Sequence, residues 1–230
     1  MPVHIHPTAP LAPRALLPGD PGRALALAQL VLAEPKMFNH NRGLWGYTGE
    51  AADGAALTVQ STGMGGPSAA IVVEELILLG ARRLVRVGTC GGLSADARLG
   101  ELVVAEGALA TDGASRALGA DGALAADAGL VAALQEAAGA DGARTGLVAT
   151  TDLFYDRDRE RSQAWRRAGA LAIEMEAATV FAVAARHGVA AACVLAISDL
   201  ELDGERVRIA DDALERAEAE LGRVGAAALA

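Results

Sequence analysis

Short apolar runs alternate with segments rich in Ala and Leu along the whole chain, and no internal repeat is visible. Several apolar runs are continuous rather than alternating, which is typical of strands that are covered on both faces in α/β sheets. The predicted strands are Ala15–Leu17, Leu57–Ser61, Leu84–Val87, Leu102–Ala105, Thr145–Ala149, Leu171–Ile173 and Ala192–Ile197.

Helix signals fall between these runs, with Asp20 as an N-cap, Pro21 at a first helical position and glycines at several helix ends. The predicted helices are Pro21–Leu32, Pro67–Leu79, Asp127–Ala138, Glu176–His187 and a last helix that begins at Asp211 or Asp212. The segment Thr111–Ala126 has little periodicity and predicts a long loop or insertion. The alternation predicts one α/β domain over residues 1–230, in which helices flank a mixed β-sheet.

The charge balance limits the partners of this chain. Lys and Arg number 20 against 29 Asp and Glu, so the formal net charge is −9. This balance argues against a nucleic-acid binder and against binding to an anionic membrane surface. Lys36 is the only lysine, so nearly all positive charge is carried by arginine, which suits phosphate and carboxylate recognition.

The two cysteines, Cys90 and Cys193, lie in apolar segments and form no CxxC or Cys/His cluster. This pattern predicts neither a zinc site nor a disulfide framework, and it favours a reducing compartment. The N-terminus lacks the pattern of a signal peptide, and no apolar run reaches membrane-spanning length. A cytoplasmic protein is therefore expected.

Two segments are candidates for anion binding. Leu17–Arg23 leads from a strand through a Pro-Gly turn into a capped helix, whose N-terminus favours an anion, although taken alone the pattern favours an ordinary turn with an exposed arginine. In Arg86–Gly92 an arginine inside an apolar strand needs either a carboxylate or an anionic ligand, because burial of an unpaired charge is costly. Thr89 and the glycines that follow favour the ligand, since ligands of open α/β sheets collect at strand ends.

Three further segments follow predicted strands. The glycines of Gly63–Ser68 allow a close backbone approach or merely a tight turn. In Ile173–Ala178, a carboxylate is suited to accept hydrogen bonds from a ribose diol, and Met175 is suited to pack on the face of a sugar. The alternative is that Glu176 merely stabilises the N-terminus of the following helix through the helix dipole. Asp199 ends an apolar strand, where it could act as a general acid near neutral pH or as a cap.

In this order, and with Asn41–Gly49 and Asp152–Tyr155, these segments resemble the trimeric/hexameric branch of the nucleoside phosphorylase family, most closely its bacterial hexameric purine enzymes. The resemblance covers nearly the whole chain. It implies the nucleoside phosphorylase fold and phosphorolysis of purine (deoxy)ribonucleosides to free base and (deoxy)ribose 1-phosphate. It implies nucleoside and phosphate as partners, no metal or organic cofactor, and a homohexamer built as a trimer of dimers with shared sites.

The resemblance also assigns roles to residues of this chain. It makes Asp199 the general acid at purine N7. It places phosphate on Gly19, Arg23, Arg86 and Thr89, with Arg42 supplied by a neighbouring subunit. It places the nucleoside on Met64, Phe154, Ile173, Glu174, Met175, Glu176 and Ser198, with His4 of the neighbour at the 5′-hydroxyl. Within this set, Glu176 binds the ribose hydroxyls, Met175 packs on the sugar and Phe154 lies against the base.

The chain departs from the family pattern at two points. The family has an arginine after the Ser-Asp pair that assists the acid, and here Arg206 or Arg208 could serve, although neither has the family spacing. The N-terminal stretch is about one residue shorter than in the family, which makes His6 an alternative to His4.

Other activities of the same fold remain open. Uridine phosphorylases recognise uracil with a Gln and an Arg, but residues 156–161 contain no Gln and their arginines have another spacing. Methylthioadenosine and S-adenosylhomocysteine nucleosidases use water, whereas Arg23, Arg42 and Arg86 favour phosphate. Methylthioadenosine phosphorolysis, a non-catalytic nucleoside-binding role, and the preference between 6-oxo and 6-amino purines are left open.

Overall fold

A mixed β-sheet extends through the chain from Arg14 to Arg208. The computed structural model describes residues 2–140, 142–156, 158–202 and 205–230, except for the side chains of residues 201, 202 and 205. Arg157, Asp203 and Gly204, which belong to segments considered above, lie outside the described residues. The strands are β1 (Arg14–Pro18), β2 (Ala33–Asn39), β3 (Gly46–Glu50), β4 (Ala56–Gln60), β5 (Arg83–Gly92), β6 (Leu102–Ala110), β7 (Ala123–Ala125), β8 (Ala143–Thr150), β9 (Ala170–Glu174), β10 (Ala190–Leu202) and β11 (Glu205–Arg208).

The strand order is β11-β10-β6-β8-β9-β5-β1-β4-β3-β2, with β7 paired to β6. Strand β10 also pairs with β5, so β10, β6, β8, β9 and β5 close into a ring. Cys193 of β10 lies opposite Arg86 of β5 in this parallel pair. The closed ring explains why the central strands are apolar on both faces.

Seven helices of the described chain cover the sheet: α1 (Pro21–Val31), α2 (Gly66–Leu79), α3 (Gly113–Ala117), α4 (Ala128–Ala138), α5 (Arg159–Arg167), α6 (Ala177–His187) and α7 (Asp211–Ala228). One aliphatic core includes buried residues of α2 and α6, and a second includes those of α1, α4 and α7. The fold class predicted from the sequence, a mixed sheet flanked by helices, is confirmed. No helix in the described ranges is long and apolar enough to cross a membrane.

Each predicted strand and helix is present with slightly different ends, whereas β2, β3, β11 and α5 were not predicted. Asp20 caps α1 as predicted, because its carboxylate accepts the backbone N–H of Arg23 at 2.7 Å. The segment Thr111–Ala126, predicted as a long loop or insertion, contains the short elements α3 and β7. These elements are too short to show periodicity and are fixed by tertiary contacts, such as Thr179 Oγ1 donating to Asp112 at 2.7 Å.

Strands β1, β4, β5 and β10 run parallel to one another, so their carboxyl ends share one edge of the sheet. Strand β9, antiparallel to β5, ends at Glu174 close to the same edge. Ligand sites of α/β sheets form at such an edge. The segments that the sequence singles out follow these five strands.

Candidate active site

A cavity of about 400 Å³ opens at this edge of the sheet. Twelve of the fourteen residues predicted as site residues line it: Gly19, Arg23, Met64, Arg86, Thr89, Phe154, Ile173, Glu174, Met175, Glu176, Ser198 and Asp199. His4 and Arg42 do not line the cavity, and neither does His6. The cavity is large enough for a small organic ligand.

The loops after β1 and β4 form one wall. The backbone N–H of Gly63 donates to Gly19 O at 3.0 Å, and that of Thr62 donates to Pro18 O at 2.8 Å. Gly63 has φ +73°, and a Cβ there would lie 2.4 Å from Ser68 Oγ. Glycine is therefore required at this position both by conformation and by space.

Arg86 lies at the centre of a buried ion network. Its Nε donates to Glu174 Oε2 at 2.9 Å, and its Nη2 lies 2.5 Å from Glu176 Oε2. Burial by itself lowers the pKa of Arg86, but the nearby Glu176 and Glu174 carboxylates outweigh it and raise the pKa. The arginine therefore stays charged although it is 4% exposed. The sequence allowed either a carboxylate partner or an anionic ligand for Arg86. The structure gives it carboxylate partners and also places it in the cavity lining.

Gly88 leaves room for this guanidinium. A Cβ at Gly88 would lie 3.0 Å from Arg86 Nη2 and 3.2 Å from Nη1. A side chain here would press on a guanidinium that two carboxylates hold in place. The absence of a side chain at Gly88 thus helps to position the Arg86 guanidinium.

Glu174 is fully engaged inside the protein. Its carboxylate accepts the Thr150 hydroxyl at 2.5 Å, the Arg86 Nε, and the backbone N–H groups of Glu176 and Ala177. The carboxylate therefore fixes the junction between β9 and α6. Thr150 was not singled out by the sequence, because a threonine at a strand end carries no distinctive signal.

Glu176 faces the cavity rather than capping α6. It occupies the N-cap position of α6 but makes no side-chain cap hydrogen bond. Its Oε1 instead accepts the backbone N–H of Gly65 at 2.5 Å. Burial raises the pKa of Glu176, Arg86 opposes this and Glu174 adds to it, so that the pKa lies above its ordinary value. The alternative in which Glu176 serves only the helix N-terminus is thereby excluded.

Asp199 lies beside a β-bulge in β10, where the register against β5 shifts between Ile197 and Asp199. Its Oδ1 accepts the Ser198 hydroxyl at 3.1 Å and its Oδ2 accepts Arg206 Nε at 2.8 Å. A Cβ on Gly91 would lie 3.2 Å from Asp199 Oδ2. A glycine in the opposite strand therefore leaves room for the carboxylate.

The sequence left open which arginine accompanies Asp199, and the structure places Arg206 there. Arg208 is the backbone partner of Asp199 in the β10–β11 hairpin, but the Arg206 side chain makes the ion pair. The Arg206 guanidinium carbon also lies 4.3 Å from the centroid of the Phe154 ring. Arg206 thus links the acid to an aromatic wall of the cavity.

Arg23 has a partner that the sequence did not indicate. Its Nη2 lies 2.5 Å from Glu218 Oε1 in α7. Arg23 Nε is buried and has no hydrogen-bond acceptor among the described residues. Because Glu218 is 195 residues away in the chain, no local pattern could connect the two.

His4 and Arg42 lie outside the cavity lining, and His4 contacts the residue that precedes Arg42. The His4 ring Nδ1 is 2.8 Å from Glu75 Oε1, and Asn41 Nδ2 donates to His4 O at 2.9 Å. Arg42, the next residue, is exposed with φ +58°. Burial raises the pKa of Glu75, but hydrogen bonds from the backbone and side chain of residues 3–5 outweigh it and lower the pKa to about 2.

Within the described ranges, no group of three or more His, Cys, Asp or Glu side chains could hold a metal ion. The three arginines that line the cavity are each paired with carboxylates: Arg23 with Glu218, Arg86 with Glu174 and Glu176, and Arg206 with Asp199. The chemistry available is therefore that of arginine donors, buried carboxylates and one carboxylate at the cavity wall.

The family model of the phosphorylase superfamily matches residues 13–230. The chain belongs to the phosphorylase superfamily. The resemblance stated from the sequence motifs is thus confirmed for this superfamily, whose model includes each cavity residue named above.

Curated relatives of this phosphorylase match over most of both chains. A purine nucleoside phosphorylase DeoD-type of Caldanaerobacter subterraneus subsp. tengcongensis is 38% identical over 202 residues, which are 85% of this chain and 86% of the relative. A protein of the same name from an Exiguobacterium species is 40% identical over 200 residues, 85% and 84% of the two chains. Another from Exiguobacterium sibiricum is 40% identical over 213 residues, 89% of each.

Proposed function

We propose that this phosphorylase cleaves purine ribonucleosides and deoxyribonucleosides with inorganic phosphate, releasing the free base and (deoxy)ribose 1-phosphate. The observation that carries the proposal is that Arg86, Glu176 and Asp199 line one cavity. Arg86 supplies hydrogen-bond donors for an anion, Glu176 an acceptor for the ribose hydroxyls, and Asp199 a proton for the base. The names of the curated relatives support purine nucleosides as the substrates.

Phosphate binds at the Arg86 end of the cavity in this proposal, with Gly19, Arg23 and Thr89. Arg86 uses Nε and Nη2 for its carboxylates, which leaves Nη1 as a donor to an anion. The two carboxylates hold the guanidinium in one orientation, so little ordering remains to be done on binding. The phosphate oxygens then face the sugar, where positive charge develops as the glycosidic bond breaks.

Glu176 receives the ribose hydroxyls. A carboxylate accepts two hydroxyl donors well, and Arg86 beside Glu176 opposes the rise in its pKa that burial causes. The Met175 side chain provides an apolar contact for the sugar. This arrangement brings the anomeric carbon between phosphate and base without a covalent enzyme intermediate.

Asp199 acts on the base. The departing purine gains negative charge, and a proton delivered to N7 neutralises it and makes the base a better leaving group. Asp199 is partly exposed at the cavity wall and is held by Ser198 and Arg206. Phe154 and Ile173 supply flat and apolar surfaces beside it. Arg206, one of the two arginines considered from the sequence, assists the acid in this proposal.

We also propose that the active unit is a homohexamer, a trimer of dimers, in which Arg42 and His4 of one subunit complete the site of its neighbour. Both residues lie outside the lining of their own cavity, and His4 contacts Asn41, the residue before Arg42, so one contact with another copy delivers both. The cavity itself pairs three arginines with four carboxylates, which leaves no net positive charge for a phosphate dianion. Arg42 makes no ion pair with the described residues and supplies that charge.

The test is a panel of four nucleosides, inosine, adenosine, uridine and methylthioadenosine, each incubated with and without phosphate. We expect free purine and a pentose 1-phosphate only when phosphate is present. Release of uracil would support uridine phosphorylase, and cleavage without phosphate would support a nucleosidase. Cleavage of methylthioadenosine in preference to inosine would assign the other phosphorolysis, and binding without cleavage would assign a nucleoside-binding protein.

A further inference from the structure

The ion pair between Arg23 and Glu218 joins the cavity to the C-terminal helix. Arg23 lines the cavity near the N-terminus of α1, whereas Glu218 belongs to the second turn of α7. The side chains are 15% and 22% exposed, and their closest atoms are 2.5 Å apart. The pair is therefore partly shielded from water, and its charges interact more strongly than those of fully exposed pairs.

Helix α7 holds Glu218 in a defined place. The end of α7 is clamped, because Arg14 Nη1 donates to Leu229 O at 2.7 Å and Arg83 Nη2 donates to Ala228 O at 3.1 Å. One turn after Glu218, a Cβ on Gly222 would lie 2.5 Å from Leu27 Cδ2 of α1. The helix thus packs directly on the element that carries Arg23, and the carboxylate cannot be moved far from it.

The guanidinium of Arg23 is only partly used by this contact. Glu218 engages Nη2, while Nε is buried without an acceptor among the described residues. A buried donor without an acceptor is costly, and a phosphate oxygen is a strong acceptor for it. Phosphate and Glu218 are both anions that bind the same guanidinium, so a phosphate that engages Nη2 as well as Nε displaces Glu218.

We propose that Glu218 is a positioning residue that serves as the counter-ion of Arg23 and that phosphate binding transfers Arg23 from Glu218 to the phosphate. This inference rests on the proposed function and adds a residue of α7 that weakens phosphate affinity. Its consequence is that the carboxylate limits phosphate retention, since every release of phosphate or of the sugar phosphate is assisted by the return of Arg23 to Glu218.

The experiment measures the KM for phosphate at saturating inosine in the wild type and in Glu218→Gln. Glutamine keeps the size and an oxygen acceptor but removes the charge. We expect the phosphate KM to fall by about two- to fivefold, the effect of removing one partly screened charge pair, while the KM for inosine stays unchanged. A merely structural role would raise the KM or lower kcat, and it would not tighten phosphate binding.

Glu220→Gln is the matched control, because Glu220 lies on the same helix and pairs only with the exposed Arg223 among the described residues. It should leave the phosphate KM unchanged. In an Arg23→Ala background, Glu218→Gln should lose its effect, since coupled residues are not additive. An unchanged or raised phosphate KM in Glu218→Gln, or the same decrease without Arg23, would overturn the inference. A wild type that cleaves neither inosine nor adenosine with phosphate would instead overturn the proposed function.

Discussion

Arg206 lies seven residues after Asp199, across the β10–β11 hairpin, and its Nε donates a hydrogen bond to the Asp199 carboxylate at 2.8 Å. The same guanidinium lies over the Phe154 ring. The acid, its partner and the proposed base-stacking ring thus form one unit at the cavity wall.

Replacing Asp199 by Asn should slow phosphorolysis of inosine by about 10²–10⁴-fold, because a positioned general acid contributes about that much. The side chain keeps its size but has no proton to deliver to the base. Phosphate affinity should change little, since Arg86 and Arg23 have other carboxylate partners. The measurement is steady-state kinetics together with calorimetric phosphate binding. Asp212→Asn, which alters an exposed pair with Arg216, is the control, and unchanged turnover in Asp199→Asn would refute the acid role.

Replacing Arg206 by Met should lower kcat/KM for inosine by about tenfold, a loss of about 1.4 kcal/mol in the transition state. The contact with Asp199 disappears, and the favourable cation–π contact with Phe154 disappears with it. A nucleoside methylated at N7 carries its positive charge already and leaves without protonation, so its cleavage should be affected much less. Arg208→Met, on the same strand, should behave like the wild type. Equal losses with both substrates would show that Arg206 acts on folding or binding rather than on the acid.

Mixing two inactive variants tests whether sites are shared. Arg42→Ala removes the residue that a subunit lends, and Asp199→Asn removes the acid that it keeps. Each variant alone should be nearly inactive. Random mixed dimers contain one intact site in each heterodimer, so subunit exchange should restore about a quarter of the wild-type activity. If Arg42 acted within its own subunit, every site would still carry one of the two lesions and mixing would restore nothing.

Glu75→Gln tests how the N-terminal segment is anchored. The carboxylate accepts the backbone N–H groups of Val3, His4 and Ile5 and contacts the His4 ring, so the variant should lose about 1–3 kcal/mol of stability at neutral pH. The lowered pKa of about 2 means that Glu75 stabilises the fold above its ordinary pKa of 4.5 and loses that contribution as the pH falls towards 2.

The measurement is urea unfolding of Glu75→Gln and wild type from neutral pH to about pH 3. The difference between the two proteins should shrink as the pH falls. Glu74→Gln is the control, because Glu74 is an exposed neighbour paired with His187. A stability difference that did not depend on pH would contradict the assignment.

Much of the site could be located from the sequence because strand ends and glycine-rich turns carry local signals. Apolar runs ending at Leu17, Val87 and Ile197 predict strands, and parallel strands bring their carboxyl ends to one edge. The residues that follow these runs therefore had to meet. The hairpin of β2 and β3 had weaker strand signals in the sequence, because exposed and buried positions do not alternate along it.

The contacts between distant segments were decided only by the tertiary structure. Arg23 meets Glu218 because α7 packs on α1, and Arg206 rather than Arg208 pairs with Asp199 although Arg208 lies opposite it in the β10–β11 hairpin. The sequence by itself determined the seven predicted strands, the five predicted helices and the chemical groups at their ends, since these depend on periodicity and local propensity. The partner of each charge depends on packing across the fold, which no local pattern encodes.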